Sequence, residues 1–233
     1  MAGVSVRVTP IVALDLPDAA TADRMVDELI DLCTFYKIGS ELFTVAGPGI
    51  VEMVRRRGAA VFLDLKFHDI PNTVRGAVRS AAGLGAELVT VHVAGGRAML
   101  EAAADAAGPS CRVLGVTVLT SMDERAIGNV WGRHALDMRA EVMRLAHLAA
   151  EAGLHGVVCS GAEAPFVRER YADRLATLVP GIRLAAGERQ DQARVVTPRA
   201  AADAGARYIV LGRAVTGARS PREAMQAVLS DLP

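Results

Sequence analysis

The sequence predicts an α/β fold, a closed (β/α)8 TIM barrel that forms a single domain over residues 1–233. Short apolar runs, many of them β-branched, recur eight times along the chain, and each is followed by a longer Ala-, Leu- and Arg-rich stretch with helical spacing. Alternation of this kind favours parallel strands joined by crossover helices. A length of 233 residues is ordinary for one such barrel.

The eight apolar runs are the predicted strands. In chain order they are IVALDL from Ile11, FYKIG from Phe35, AVFLDLK from Ala60, LVTVHV from Leu88, VLGVTVL from Val113, GVVCS from Gly156, ATLVPGI from Ala176 and YIVLG from Tyr208. Their nearly continuous apolarity is typical of strands covered on both faces. An open doubly wound sheet is the competing architecture, but no GxGxxG motif follows the first run. In the widest gap, residues 121–153, the sequence predicts a rim loop and one long helix, RHALDMRAEVMRLAHLAAEAG.

Composition and charge narrow the classes of function. The 26 basic and 26 acidic residues balance without a long block of one sign, so nothing indicates a nucleic-acid or anionic-membrane partner. Cys33, Cys111 and Cys159 lie far apart in or beside apolar runs, which predicts buried thiols rather than disulfides. No stretch resembles a signal peptide or a membrane span, and we therefore expect a cytoplasmic protein.

Polar residues follow or end most of the predicted strands. In a barrel of this class the C-terminal ends of the strands carry the chemistry. The candidates there are Asp15, Lys37, Asp64, Lys66, His92, Thr120, Ser121, Arg183, Gly212 and Arg213.

The two lysines stand out from the other basic residues. Lys37 and Lys66 are the only lysines among the 26 basic residues, and both end predicted strands. An ammonium group can release a proton, whereas a guanidinium stays charged. Asp64 and Lys66 are two positions apart on a strand and should leave the same face. Neighbouring carboxylates favour the charged form of Lys66, which makes it a proton donor rather than an imine-forming amine.

Two other interpretations of this acid-rich stretch remain open. The first is a structural ion-pair network, in which Asp69 or Asn72 caps the next helix and Pro71 lies in its first turn. The second is a divalent metal held by His68 and His92 together with Asp64 or Asp69. Neither His68 nor His92 has a further role that the sequence supports, and the same holds for Trp131.

The loops after the last two strands predict an anion site. Residues 180–192, PGIRLAAGERQDQ, follow the seventh strand, and residues 211–217, LGRAVTG, follow the eighth. Barrels of this class often bind phosphate in these two loops. Gly212 lets backbone N–H groups approach an anion, and Arg183 and Arg213 can contact its oxygens in bidentate fashion.

Taken together, these motifs resemble the orotidine 5'-phosphate decarboxylase family over essentially the whole chain. The matching stretches are VALDL around Asp15, YKIGSELF around Lys37, FLDLKFHDIPNTV around Lys66, VTVLTSM around Thr120, PGIR at Arg183 with the later DQ at Gln192, and IVLGRAVT around Arg213. The D-x-K-x-x-D core also occurs in related sugar-phosphate enzymes. IPNT directly after that core, together with PGIR and DQ, favours the orotidine 5'-phosphate decarboxylases over those related enzymes.

The resemblance implies cofactor-independent decarboxylation of orotidine 5'-phosphate to UMP in de novo pyrimidine biosynthesis. It implies a homodimer with shared sites and no metal, flavin or pyridoxal. Lys66 would be the proton donor, flanked by Asp64 and Lys37 of its own subunit and by Asp69 of the neighbour. The other implied roles are ribose contacts for Asp15, Lys37 and the neighbour's Thr73, pyrimidine contacts for Thr120 and Ser121, phosphate contacts for Arg183, Gln192, Gly212 and Arg213, and a lid over residues 184–191.

Two alternatives to this activity remain. The first is a metal-dependent 3-keto-sugar phosphate decarboxylase, or a related synthase, on the same barrel. The second is a barrel that binds a UMP-like nucleotide without catalysis.

Overall fold

Eight parallel strands form a closed barrel in the computed structural model, which describes residues 8–133, 135–184 and 196–233. The strands are β1 Thr9–Ala13, β2 Phe35–Gly39, β3 Ala60–Phe67, β4 Leu88–His92, β5 Arg112–Val116, β6 Gly156–Val158, β7 Ala176–Val179 and β8 Tyr208–Leu211. Each strand pairs with the next in sequence, and β8 pairs with β1. The predicted TIM barrel is therefore confirmed, and each strand overlaps the apolar run that predicted it. That residues 1–233 form one domain stays a prediction.

Helices surround the barrel. Within the described residues they are α1 Ala19–Leu29, α2 Ser40–Ala46, α3 Gly49–Arg56, α4 Pro71–Gly83, α5 Arg97–Ala107, α6 Glu124–Trp131, α7 Met138–Glu151, α8 Ala164–Tyr171, α9 Pro198–Asp203, α10 Arg213–Thr216 and α11 Pro221–Asp231. Several begin with a side chain that accepts a backbone N–H of the first turn, as Asp18 does for α1 and Ser220 for α11. These caps satisfy donors that the helix itself leaves unpaired.

The strands bury both of their faces. On β1, Ile11 and Ala13 point into the barrel and join a small interior cluster with Phe62. Val12, between them, joins the larger cluster that packs the strands against the helices. Because alternate side chains enter two different apolar layers, the strands read as continuous apolar runs rather than as alternating ones.

The segment over residues 121–153 differs from its prediction. It contains two helices, α6 and α7, whereas one long helix was predicted from residue 133. Gly132 ends α6 in the left-handed conformation, with φ of 62°. The carboxylate of Asp137 then accepts the N–H of Ala140 at 3.0 Å and caps the start of α7. A C-terminal glycine and a new N-cap in close succession separate the two helices.

Two smaller sequence predictions can also be compared. Cys33, Cys111 and Cys159 are buried thiols, as predicted. Among the described residues, no helix combines the length and apolarity needed to cross a membrane.

Candidate active site

A cavity of about 630 Å³ lies where the C-terminal ends of the strands meet. Eight of the sequence candidates line it: Asp15, Lys37, Asp64, Lys66, Thr120, Arg183, Gly212 and Arg213. The barrel brings them together because they lie on β2 and β3 or follow β1, β5, β7 and β8, all at the same end of the barrel. The cavity is large enough for a small nucleotide.

Two lysines and two aspartates form a chain of alternating charge along one side of this cavity. The Nζ atom of Lys37 lies 2.7 Å from Oδ1 of Asp15 and 3.6 Å from Oδ2 of Asp64. The Nζ atom of Lys66 lies 2.8 Å from the same Oδ2 atom of Asp64. Asp64 therefore bridges both ammonium groups through one oxygen.

Lys37 and Asp64 are more buried than Lys66. The Lys37 side chain is 9% exposed and that of Asp64 is 14% exposed, whereas Lys66 is 37% exposed. The two inner groups are therefore held in fixed positions, and the Lys66 ammonium retains access to the open part of the cavity. A fixed carboxylate beside an accessible ammonium suits proton donation to a bound molecule.

The ionisation of Asp64 follows from these contacts. Burial disfavours its charged form, but the positive charges of Lys37 and Lys66, with hydrogen bonds from Lys66 and Thr90, outweigh burial and lower the pKa of the carboxyl group. Asp64 is consequently a carboxylate at neutral pH.

The backbone of β3 is irregular at the lysine. Lys66 has a φ of 49°, in the left-handed region that residues other than glycine seldom adopt. The β3–β4 register shifts between Leu63 and Phe67 at the same place. The predicted contact between Asp64 and Lys66 does occur, but regular strand alternation is not its cause.

Thr90 of β4 is a residue that the sequence reasoning missed. It is fully buried, and its Oγ1 atom accepts the N–H of Lys66 at 2.9 Å and contacts Oδ1 of Asp64 at 3.0 Å. The signal was available, because a polar residue in the middle of an apolar strand needs a hydrogen-bond partner.

The loops after β7 and β8 face the same cavity. Arg183, Gly212 and Arg213 all line it, and the guanidinium of Arg183 donates to the carbonyl of Ile182 at 3.0 Å. Gln192 and residues 185–191 of the predicted lid lie outside the described residues.

Four candidates do not line the cavity of this chain: Asp69, Thr73, Ser121 and His92. Asp69 and Thr73 are exposed at and near the start of α4, and Ser121 is exposed after β5. The Oδ1 atom of Asp69 accepts the adjacent N–H of Ile70 at 2.6 Å. Neither Asp69 nor Asn72 caps α4, because its N-cap residue is Ile70, which makes no side-chain cap. Pro71 lies in the first turn, as predicted.

The imidazole pair gives no support to a metal centre. The rings of His68 and His92 lie 5.4 Å apart. Burial lowers the pKa of His92, and the nearby charges of His68 and Lys66 lower it further. Among the described residues no group of three or more His, Cys, Asp or Glu side chains is placed to hold a metal ion.

Further cavity residues were not singled out from the sequence. Gly39 ends β2, Ser40 and Glu41 follow it, and Thr216 lies at the end of α10. Their positions obey the same strand-end rule that identified the other candidates, but they lack a distinctive residue type or motif.

Comparison with known proteins places these features in one family. The family model described as "Orotidine 5'-phosphate decarboxylase / HUMPS family" matches residues 9–228. An orotidine 5'-phosphate decarboxylase of Thermobifida fusca is 48% identical over 222 residues, covering 95% of this chain and 94% of that protein. The enzyme of the same name from Moorella thermoacetica is 45% identical over 230 residues, covering 95% of this chain and 91% of that protein.

A solved structure agrees with this comparison. The orotidine 5'-phosphate decarboxylase of Lactobacillus acidophilus superimposes with a TM-score of 0.84 at 35% identity, covering 96% of this chain and 98% of that one. The match therefore extends over sequence, fold and nearly the whole length. The chain belongs to the orotidine 5'-phosphate decarboxylase / HUMPS family.

Proposed function

We propose that this protein is a carboxy-lyase that converts orotidine 5'-phosphate to UMP in de novo pyrimidine biosynthesis. The observation that carries the proposal is the Lys66 ammonium, 2.8 Å from the buried Asp64 carboxylate in the cavity. Family membership and the names of the similar proteins support the substrate. They give no support to the alternative of a 3-keto-sugar phosphate decarboxylase.

Lys66 supplies both the charge and the proton that the reaction needs. Loss of CO₂ breaks the bond between C6 and the carboxylate and leaves the electron pair on C6. No adjacent carbonyl delocalises that pair as an enolate, so a fixed cation must stabilise it where it forms. The Lys66 ammonium then transfers a proton to C6, which gives UMP.

Asp64 holds Lys66 in place and faces the departing carboxylate. Its pKa is lowered despite burial, chiefly by the charges of Lys37 and Lys66, so it remains negative in the folded protein. A substrate carboxylate beside it experiences like-charge repulsion, which departure of neutral CO₂ relieves. Lys37 contacts both Asp15 and Asp64 and so keeps the Asp64 carboxylate in position.

The remaining candidates divide between the other two parts of the nucleotide. Asp15 and Lys37 bind ribose hydroxyls, and Thr120 and Ser121 lie near the pyrimidine. Arg183, Gly212 and Arg213 bind the phosphate, and Gln192 is proposed to join them. Phosphate binding far from C6 organises the site, so its energy contributes to turnover as well as to affinity.

The proposed enzyme is a homodimer in which Asp69 and Thr73 complete the partner's site. Both residues are exposed and absent from the lining of their own cavity. Ile70, next to Asp69, is 67% exposed, and a partner subunit that covered it would bury apolar surface. A cytoplasmic location is also proposed, and the three buried cysteine thiols support it.

Mixing two inactive variants tests the shared site. Asp69→Asn and Lys66→Ala each damage both sites of their own homodimer. A mixed dimer has one site with both changes and one with neither, so decarboxylation should recover to about a quarter of the wild-type level at equal mixing. No recovery after confirmed subunit exchange would contradict shared sites.

The activity itself is tested by absorbance with orotidine 5'-phosphate in the presence of a chelator. The proposal expects UMP to form at the same rate with and without the chelator. Absence of UMP would remove the assignment, and loss of turnover restored by magnesium would favour the sugar-phosphate alternative. Tight UMP binding without any turnover would indicate a nucleotide-binding barrel.

A further inference from the structure

The shift in register between β3 and β4 leaves a single residue of β4 opposite three residues of β3. Leu63 pairs with Val89 and Phe67 pairs with Val91. Between these two pairs β3 has Asp64, Leu65 and Lys66, whereas β4 has Thr90 alone. Extra residues in one strand interrupt the ladder and leave backbone groups without their usual partners.

The hydroxyl of Thr90 replaces the missing ladder partner. Its oxygen accepts the N–H of Lys66 at 2.9 Å, at the residue whose φ is 49°. The same hydroxyl donates to Oδ1 of Asp64 at 3.0 Å. Oδ2 of Asp64 is thereby left to face both Lys37 and Lys66. One fully buried side chain therefore contacts both the backbone of the lysine and the carboxylate that pairs with it.

We propose that Thr90 is a positioning residue that fixes the β3 irregularity and so directs the Lys66 ammonium and the Asp64 carboxylate at the reacting carbon. This inference rests on the proposed function. Thr90 acts through Asp64 and Lys66 and does not line the cavity. Only a side chain with both an acceptor and a donor can make the two contacts at once, and a hydroxyl provides both.

The charged groups around Asp64 set the pKa of its carboxyl group, which a pH profile of kcat would detect. Lys37 of β2 and Lys66 of β3 both contact the carboxylate, and Asp15 after β1 shares Lys37. His92 of β4 also interacts electrostatically with Asp64. The Thr90 hydroxyl is one of the groups that lower the pKa of Asp64, although the lysine charges contribute more. Removal of the hydroxyl should therefore raise this pKa while the charged neighbours remain.

Thr90→Val tests the proposal because valine keeps the shape and removes the hydroxyl. Its kcat on orotidine 5'-phosphate should fall at least about tenfold, whereas KM and the affinity for UMP should change less than about threefold. The acid limb of the kcat profile should move to higher pH. Thr90→Ser should restore kcat to within about threefold of wild type. If the valine variant does not fold, Thr90→Ala provides the same comparison.

Thr177→Val is the matched control. Thr177 is a buried threonine of β7 that does not line the cavity, and its hydroxyl donates to the carbonyl of Gly205 at 3.2 Å. Its loss should affect stability without moving the pH profile. The positioning role is overturned if Thr90→Val matches this control in kcat and acid limb, or if Thr90→Ser is as impaired as Thr90→Val. An inactive wild-type protein would instead reject the proposed function.

Discussion

The side chains of Asp15, Lys37, Asp64 and Lys66 form a compact charge network whose geometry depends on the absence of a neighbouring side chain. A Cβ atom added to Gly39 would lie 2.8 Å from Oδ1 of Asp15 and 3.0 Å from Nζ of Lys37. Real Cβ atoms essentially never come within 2.8 Å of another heavy atom, so Asp15 would have to shift, and Lys37 would have to move slightly. Gly39 has a φ of −87°, so its requirement is for space and not for an unusual backbone conformation.

Gly39→Ala should therefore disturb the Asp15–Lys37 pair while the barrel stays folded. We expect KM for orotidine 5'-phosphate to rise about tenfold, because these two residues are proposed to bind ribose. Steady-state kinetics and thermal unfolding provide the measurements. Gly49→Ala on α3 is the control, since its added Cβ has open space. Equal KM values for the two variants would contradict the proposed tight packing.

Among the structural elements, the strands were predictable and the irregular connections were not. The eight apolar runs predicted the strands because both strand faces are buried, which leaves a continuous signal in the sequence. The strand-end rule likewise located Lys66 and Asp64. The left-handed φ of Lys66 could not be predicted. It arises because β3 has three residues and β4 only one between two successive strand pairs, and this pairing is not visible in the sequence. Residues 121–153 form two helices because Gly132 ends the first of them in the left-handed conformation, and the prediction of a single helix did not allow for this.

The second helix of that segment, α7, carries a buried carboxylate that joins it to the preceding loop. Glu141 has a side chain that is 2% exposed, and its Oε2 atom lies 2.6 Å from Nη1 of Arg133. Arg144 contacts its other oxygen. A buried carboxylate depends on such partners, because burial without them is unfavourable.

Glu141→Gln should lower the free energy of unfolding by about 1–3 kcal/mol, because the charge-assisted contacts to Arg133 and Arg144 are weakened. Denaturant unfolding measures this change, and KM for orotidine 5'-phosphate should stay at the wild-type value. Glu151→Gln, at an exposed position of the same helix, is the control. Equal stability of the two variants would show that the buried pair makes no net contribution.

At the scale of the whole molecule, the two ends of the barrel have different chemistry. The C-terminal end carries the charged cavity, whereas the N-terminal end contains a half-buried polar cluster. There Nε2 of His155 lies 3.2 Å from the hydroxyl of Tyr208, which Arg112 also contacts. Burial, followed by the charges of Arg112 and Arg207, lowers the pKa of His155 to about 4.

This lowered pKa predicts acid sensitivity. Below pH about 6.5 the unfolded chain binds a proton at His155 that the folded protein excludes until about pH 4, so stability falls as the pH drops through this window. The full shift corresponds to roughly 3 kcal/mol, which partial solvent access reduces to about 1–2 kcal/mol.

His155→Gln should remove that contribution, so the variant should lose less unfolding free energy than wild type between pH 7 and pH 4.5. Denaturant unfolding at both pH values measures the difference. His147→Gln, at an exposed position on α7, is the control and should behave as wild type. An unchanged loss of stability in His155→Gln would mean that other groups cause the acid sensitivity.

The most direct test of the catalytic proposal is the turnover of Lys66→Ala on orotidine 5'-phosphate. Circular dichroism and UMP binding would first establish that the variant keeps its fold and its phosphate contacts. Since Lys66 is proposed to supply both the cation and the proton, kcat should fall by several orders of magnitude, on the scale seen when a principal catalytic group is removed. Turnover near the wild-type value in the folded variant would contradict the role assigned to Lys66.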